Sequence, residues 1–194
     1  MTDTPISVFK LTIEEFVRLY DREGPFEIID GERIFMSPTV QAHNNASSNL
    51  AWALMSWVNP RNLGKLYIEA PFVIVYDQNW VTGSRVPDMM FVSAARLEGY
   101  KDNNPDWESK PLVLVPDLVV EIVSQTDRYS DVDAKVDRYL QDGVKLVWVL
   151  DPQRRKVSAH QLNSNRPLVL SGEDVLTGDD VIPGFEITVS KIFE

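Results

Sequence analysis

The hydrophobic positions change period several times along the chain, and each change marks an element. In KLTIEEFVRLYDREG, Ile13, Phe16, Val17 and Tyr20 recur at helical intervals. Thr12 and Glu15 stand ahead of them in capping-box spacing, and Gly24 with Pro25 supplies the stop. FEIIDGERIFMSP reads next as a hairpin, two short strands around Asp30-Gly31. HNNASSNLAWALMSWVNP returns to the helical period. Its buried stripe is Leu50, Ala51, Leu54, Met55, Trp57 and Val58, and Pro60 ends it.

KLYIEAPFVIVY and RVPDMMFV then read as successive strands, with DQNWVTGS as the loop between them. EGYKDNNPDWESKP carries too little apolar content for a core and reads as a surface excursion. PDLVVEIVS is a strand, DVDAKVDRYLQDG a helix closed by Gly143, and KLVWVLDP another apolar strand. DPQRRKVSAHQL and the final segment suggest peripheral strands and turns, with no linker and no repeat. Helices and strands share one core in this order. The expectation is a single mixed α/β (α+β) domain over residues 1–194 with an at least partly antiparallel sheet.

PDLVVEIVS contains a contradiction. Leu118, Val119, Val120, Ile122 and Val123 form a β-branched run suited to a strand buried on both faces. Alternation puts Val119, Glu121 and Val123 on one face and Leu118, Val120 and Ile122 on the other. A solvent-facing Glu121 would expose two valines beside it. A covered Glu121 buries a carboxylate that needs a cation or several donors.

Composition narrows the classes. The 194 residues are 44% hydrophobic and 25% charged, enough for one soluble domain with a sizeable core. There is no cysteine, which excludes disulfides and thiolate chemistry and is compatible with a reducing, cytoplasmic setting. MTDTPISVFK lacks a basic segment followed by an apolar one, and no apolar run approaches a membrane span. The 29 acidic and 19 basic residues leave a net charge of −10, which counts against coating nucleic acid broadly but not against a local basic cleft.

Two acids stand out against this background. Asp88 lies near the start of one apolar strand and Glu121 in the middle of another. Carboxylates aimed at one point repel unless they share a proton or hold a cation, and a hard divalent ion takes oxygen ligands in this way. Asp88 alone would more simply close a turn. Lys135, on the helix after the Glu121 strand, has Asp131 and Tyr139 one turn away on the same face. It can reach toward Glu121 or remain solvated beside Asp131.

Taken together, RVPDMMFV, PDLVVEIVS, the D-x-x-x-K-x-x-x-Y helix and GVKLVWVLDP resemble the bacterial "putative restriction endonuclease" family of the PD-(D/E)XK nuclease superfamily. LTIEEFVRLYDREGPFEIIDGE, the single His43 before a helix and VIPGFEITVSKIF extend the resemblance over nearly the whole chain. It implies a restriction-endonuclease-like core, a central mixed sheet flanked by helices. It also implies Mg²⁺- or Mn²⁺-dependent hydrolysis of nucleic acid, with DNA the expected substrate and a homodimer the expected assembly. Asp88 matches the acid of the "PD" strand and Glu121 that of the E-x-K strand, with the Ile122 carbonyl as third metal ligand. The lysine position two after Glu121 is Val123, and Lys135 matches a lysine displaced onto the following helix. Gln125 stands where the family often has proline.

Other residues are secondary. Asp117 offers a competing Pro-Asp, but its Cα lies roughly 13 Å along the strand from that of Glu121. Glu27 matches a glutamate common in the family, and an exposed strand position is an equal reading. Glu32 reads as solvent-facing and His43 as a helix cap or surface residue. Arg154-Arg155-Lys156 reads as a charged turn rather than a backbone clamp, and Trp52 and Trp57 as packing residues. Three functions stay in play: a metal-dependent nuclease, a non-catalytic binding or regulatory module on a nuclease fold, and a hydrolase of small phosphorylated molecules.

Overall fold

The structure is a computed structural model that describes residues 11–36, 38–76, 79–125, 127–164 and 166–194. The chain forms two compact units. One comprises Met1–Ser37, Pro71–Val86 and Asn104–Val115; the other comprises Pro38–Ala70, Pro87–Asn103 and Pro116–Glu194. Each is assembled from three separated stretches, so neither can be cut out as a continuous segment.

In chain order, β1 (Leu11–Thr12) leads into α1 (Ile13–Glu23), followed by β2 (Phe26–Ile29) and β3 (Glu32–Phe35). The long helix α2 (Gln41–Val58) precedes β4 (Gly64–Ile68), β5 (Phe72–Tyr76), β6 (Trp80–Arg85) and β7 (Met89–Ser93). Then come α3 (Ala94–Asn103), β8 (Leu118–Ile122), α4 (Tyr129–Asp142), β9 (Leu146–Asp151) and β10 (Lys156–Gln161). The chain ends with β11 (Leu168–Ser171), β12 (Val175–Thr177), β13 (Glu186–Thr188) and α5 (Val189–Ile192).

The first unit packs α1 against an antiparallel sheet in which β6 pairs with β1, β2 and β5. Thr12 and Glu15 form the reciprocal capping box, and α1 buries Ile13 and Phe16 against Phe26, Ile28, Val73 and Val81. DQNWVTGS is therefore not all loop: β6 begins at Trp80, while Asp77 and Gln78 lie outside the described residues. A bulge between Ile74 and Val75 shifts the β5–β6 register, and the Thr82 hydroxyl donates to the Ile74 carbonyl at 3.1 Å. The bulge breaks the simple alternation that would have marked this strand.

The second unit is built on a six-stranded sheet of order β11-β10-β9-β8-β7-β4. Only β8 and β9 run parallel, joined by α4 as a crossover; the other pairs are antiparallel. β8 is thus central, as its apolar run requires, and all five of its residues are buried. Leu118, Val120 and Ile122 face a core with Leu50, Leu54, Val58, Trp148 and Phe185. α4 stops at Gly143, whose φ of 100° forms the left-handed cap.

Three expectations change here. KLYIEAPFVIVY is two strands, β4 and β5, which join different sheets; Glu69 between them has a positive φ of 47°. The polar EGYKDNNPDWESKP begins as the second half of α3, where Leu97 and Tyr100 supply a small buried face. Trp52 is 74% exposed, whereas Trp57 lies half-buried against the core and donates its indole N–H to the Pro183 carbonyl. Two tryptophans five residues apart on a helix point about 140° apart, and only one can face the sheet.

Asp117, just before β8, is a buried structural acid. It meets Arg96 at 2.9 Å and Lys145 at 2.8 Å, and it accepts the Ser93 N–H at 2.9 Å. Burial raises its pKa, but the Lys145 and Ser93 bonds and the Arg96 charge outweigh that and hold it below the usual aspartate range. A depressed folded-state pKa contributes stability above the ordinary value, near about pH 4, that is lost as pH falls through the folded value. Asp117→Asn should therefore cost about 2 kcal/mol at neutral pH, the worth of hydrogen bonds to a charged group. Denaturant unfolding should show that gap closing as pH falls below about 4; a gap independent of pH would show that shape, not charge, carries the effect.

Candidate active site

The site lies in the second unit and starts where one ladder ends. β7 and β8 pair through Met89↔Val120, so Asp88 falls opposite Glu121 one step beyond the last pair. The Ile122 N–H points past the end of β7, and among the described residues no strand carbonyl meets it. It donates instead to Asp88 Oδ2 at 2.6 Å. Pro87 precedes Asp88, and the Asp88 carbonyl accepts the Glu69 N–H at 3.0 Å, which fixes the turn into β7. The acid of one strand is thereby tied to the residue next to the acid of the other.

His43 holds the second oxygen of Asp88. Its Nε2 lies 3.0 Å from Asp88 Oδ1, and the residue is buried in the first turn of α2. Burial opposes the imidazolium, yet the Asp88 hydrogen bond and charge outweigh it and raise the His43 pKa above its ordinary value. The expectation of a cap or surface residue is overturned. The missed signal was the absence of a good cap: Val40 occupies the N-cap and makes no side-chain bond.

Glu121 is 8% exposed and compensated from α4. Lys135 Nζ meets Glu121 Oε2 at 3.1 Å, and the Tyr139 hydroxyl donates to Oε1 at 2.5 Å. Lys135 and Tyr139 are four residues apart and so share a helix face. The alternative of a lysine answering only to Asp131 gives way to this contact. Spacing alone makes Tyr139 only a neighbour on that face; its phenol, held inside a packed helix, is a donor that the buried carboxylate requires.

The remaining candidates separate from this cluster. Glu27 belongs to the first unit, where it is buried and accepts the Val86 N–H at 3.0 Å, so the exposed reading does not hold. Glu32 is exposed. Arg154 folds back on its own turn, bonding Asp151 at 3.1 Å and packing 4.8 Å from the Tyr129 ring.

Carboxylate oxygens are the donor type that a hard divalent ion takes. Asp88 makes two contacts, and a carboxylate offers about four lone-pair directions. A recess of about 40 Å³ borders Glu121, Ile122, Asp127, Asp131 and Lys135, room for an ion or a few waters. Among the described residues, no three His, Asp or Glu side chains converge closely enough to hold a metal by themselves. Main-chain, water or substrate oxygens would have to complete the shell, as is usual for Mg²⁺.

Residues 13–190 match the family Uma2, described as "Putative restriction endonuclease". The chain belongs to the Uma2 family. The Uma2 fold is also that of a solved structure, a "putative nuclease belonging to DUF820" from Anabaena variabilis ATCC 29413. The two share 19% identity with a TM-score of 0.76, over 94% of this chain and 97% of that one. No curated protein matches the sequence.

The Tyr139–Glu121 bond in this Uma2 chain can be weighed directly. Tyr139→Phe should cost about 1.5–3 kcal/mol in denaturant unfolding, since the acceptor is a carboxylate. Combining it with Glu121→Gln should give less than the sum of the two changes, because residues in one network couple. Strict additivity would mean that the two side chains do not share a bond.

Proposed function

We propose that the chain is a divalent-metal-dependent endonuclease, a single restriction-endonuclease-like domain that hydrolyses phosphodiester bonds of DNA. One observation carries this reading: Asp88 is bonded to the amide that follows Glu121, and Glu121 is bonded to Lys135. Two acids and a lysine from three elements thus meet around two consecutive residues of β8.

Asp88, Glu121 and the Ile122 carbonyl would hold Mg²⁺ or Mn²⁺, which supplies Lewis-acid polarisation of the phosphate and a more acidic bound water. His43 and the Ile122 amide set the Asp88 carboxylate, and Tyr139 sets that of Glu121. Lys135 brings an ammonium to the position an intact E-x-K motif would fill from Val123. Its long stem makes the exchange feasible, because a compact point charge can be delivered from a neighbouring backbone. There it orients a water or stabilises negative charge on the phosphoryl oxygens as the phosphorus becomes pentacovalent.

A second reading rests on the same contacts. Both carboxylates already have protein donors, and the chain carries a net charge of −10. A module that kept the fold for binding alone would look alike. Two-fold pairing is implied for the nuclease by resemblance only, and sedimentation of the purified protein decides it.

Mg²⁺ or Mn²⁺ should raise the melting temperature as its occupancy rises, since binding the native state alone shifts the folding equilibrium. Glu121→Gln should remove most of that gain; an unchanged metal-induced shift would take Glu121 off the ligand set.

Lys135→Ala should keep the metal-induced shift while cleavage falls about 10²–10³-fold, the cost of losing one preorganised charge. Lys135→Arg should not restore the wild-type rate, because a planar fork presents its donors differently. The assay begins with supercoiled, linear and single-stranded substrates in Mn²⁺. Wild-type protein that cleaves none of them would favour the binding module.

A further inference from the structure

Beside the cluster at Glu121 lies a larger cavity of about 410 Å³ that the proposed hydrolysis does not use. Its origin is topological. α4 lies across β8 and β9, bringing Lys135 and Tyr139 to Glu121, and at the strands next outward its residues line the cavity together with those of the sheet. There the register aligns Val149 with Ser158 and Ser158 with Val169, and it pairs Asp151 with Lys156 and Val147 with His160. Opposed residues share a face, so one surface of the sheet presents this grid. Val132 and Tyr129 of α4 close its side.

We propose that this cavity is a nucleotide subsite that receives the base adjoining the scissile phosphate, from a single strand or an extruded nucleotide. The substrate class rests on the nuclease reading; the choice of a base rests on the cavity. Val123, Val132, Val149 and Val169 make an apolar wall suited to the flat face of a heterocycle. Ser158 and His160 lie 3.2 Å apart within it and offer hydrogen bonds to a base edge. The Tyr129 ring is fixed in place, its hydroxyl donating to Asp151 at 3.1 Å and Arg154 covering it at 4.8 Å.

Charge decides between base and phosphate. Asp133 and Asp151 line the cavity along with Arg154 and Lys156, so its walls carry no net positive charge. A phosphate inside would face two carboxylates, whereas a neutral base offers amino groups for them to accept. The exposed turn bearing Arg154, Arg155 and Lys156 sits at the rim, where the flanking backbone would run. Position supplies the link to chemistry. Val123 and Val132 border both this cavity and the small recess at Glu121 and Lys135, so a base held here keeps its own phosphate near the carboxylates.

The test is an NMR titration of the intact ¹⁵N-labelled protein without metal, using deoxyadenosine 5′-monophosphate and, separately, 2-deoxyribose 5-phosphate. The nucleotide should shift the amides of Ser158, His160 and Val169 saturably, and the base-free sugar phosphate should not. Val169→Trp, at an exposed position on the edge strand, should fill the cavity and weaken nucleotide binding about tenfold, the size of one lost base stack. Equal responses to both compounds, shifts confined to residues 154–156, or an unchanged affinity in a folded Val169→Trp would overturn the proposal. If that variant does not fold, the comparison on wild-type protein still decides. Wild-type cleavage without base-dependent shifts removes the subsite alone. Base-dependent shifts in a protein that cleaves nothing remove the nuclease reading and leave a nucleotide site.

Discussion

A carboxylate in the middle of a buried strand has to be neutralised, and the second unit is arranged around that requirement. Left without donors, Glu121 would cost several kcal/mol or take up a proton. Lys135 and Tyr139 of α4 supply a charge and a hydroxyl, one to each oxygen. They do so only because α4 is the crossover between the parallel strands β8 and β9, which returns it over the sheet. The helix that completes the β8–β9 connection is therefore also the one that sets the candidate site.

Asp88 solves a different problem at the same place. β7 starts too late to accept the Ile122 N–H, and a strand amide left unpaired there would be unfavourable. The Asp88 carboxylate ends the ladder in place of a carbonyl, while His43 binds its other oxygen. A strand terminus thus doubles as a point where two acids come together. Asp117 shows the contrast on the same strand: with Arg96, Lys145 and the Ser93 amide all committed to it, it is an anchor for the start of β8. Of the two Pro-Asp pairs that lead into apolar strands, only Asp88 is tied to the residue beside Glu121.

Much of the framework could be read from local pattern. The capping box of α1, the Asp30-Gly31 hairpin, the stop of α4 at Gly143 and the central place of β8 all follow from side chains acting on their own backbone or on one sheet face. The readings that failed were of another kind. β6 was hidden by a bulge and a mixed sequence, and β4 and β5 were merged because nothing local says that two apolar strands enter different sheets. Trp52 and Trp57 looked equivalent because composition does not say which face of α2 meets the sheet.

For the site, the sequence alone determined that Glu121 interrupts an apolar strand and must be compensated if its face is covered, since alternation is a property of a short segment. It also determined that Lys135 and Tyr139 share a helix face, since that is a matter of spacing. Tertiary structure decided which donors answer which acid. The His43–Asp88 pair spans 45 residues and the Tyr139–Glu121 pair 18, and neither leaves a trace in the residues between. Burial of His43 was illegible for the same reason: a lone histidine near a helix start is ordinary until the fold brings a carboxylate to it. Local interactions choose elements, whereas partners for buried charge are chosen by which elements the topology makes neighbours.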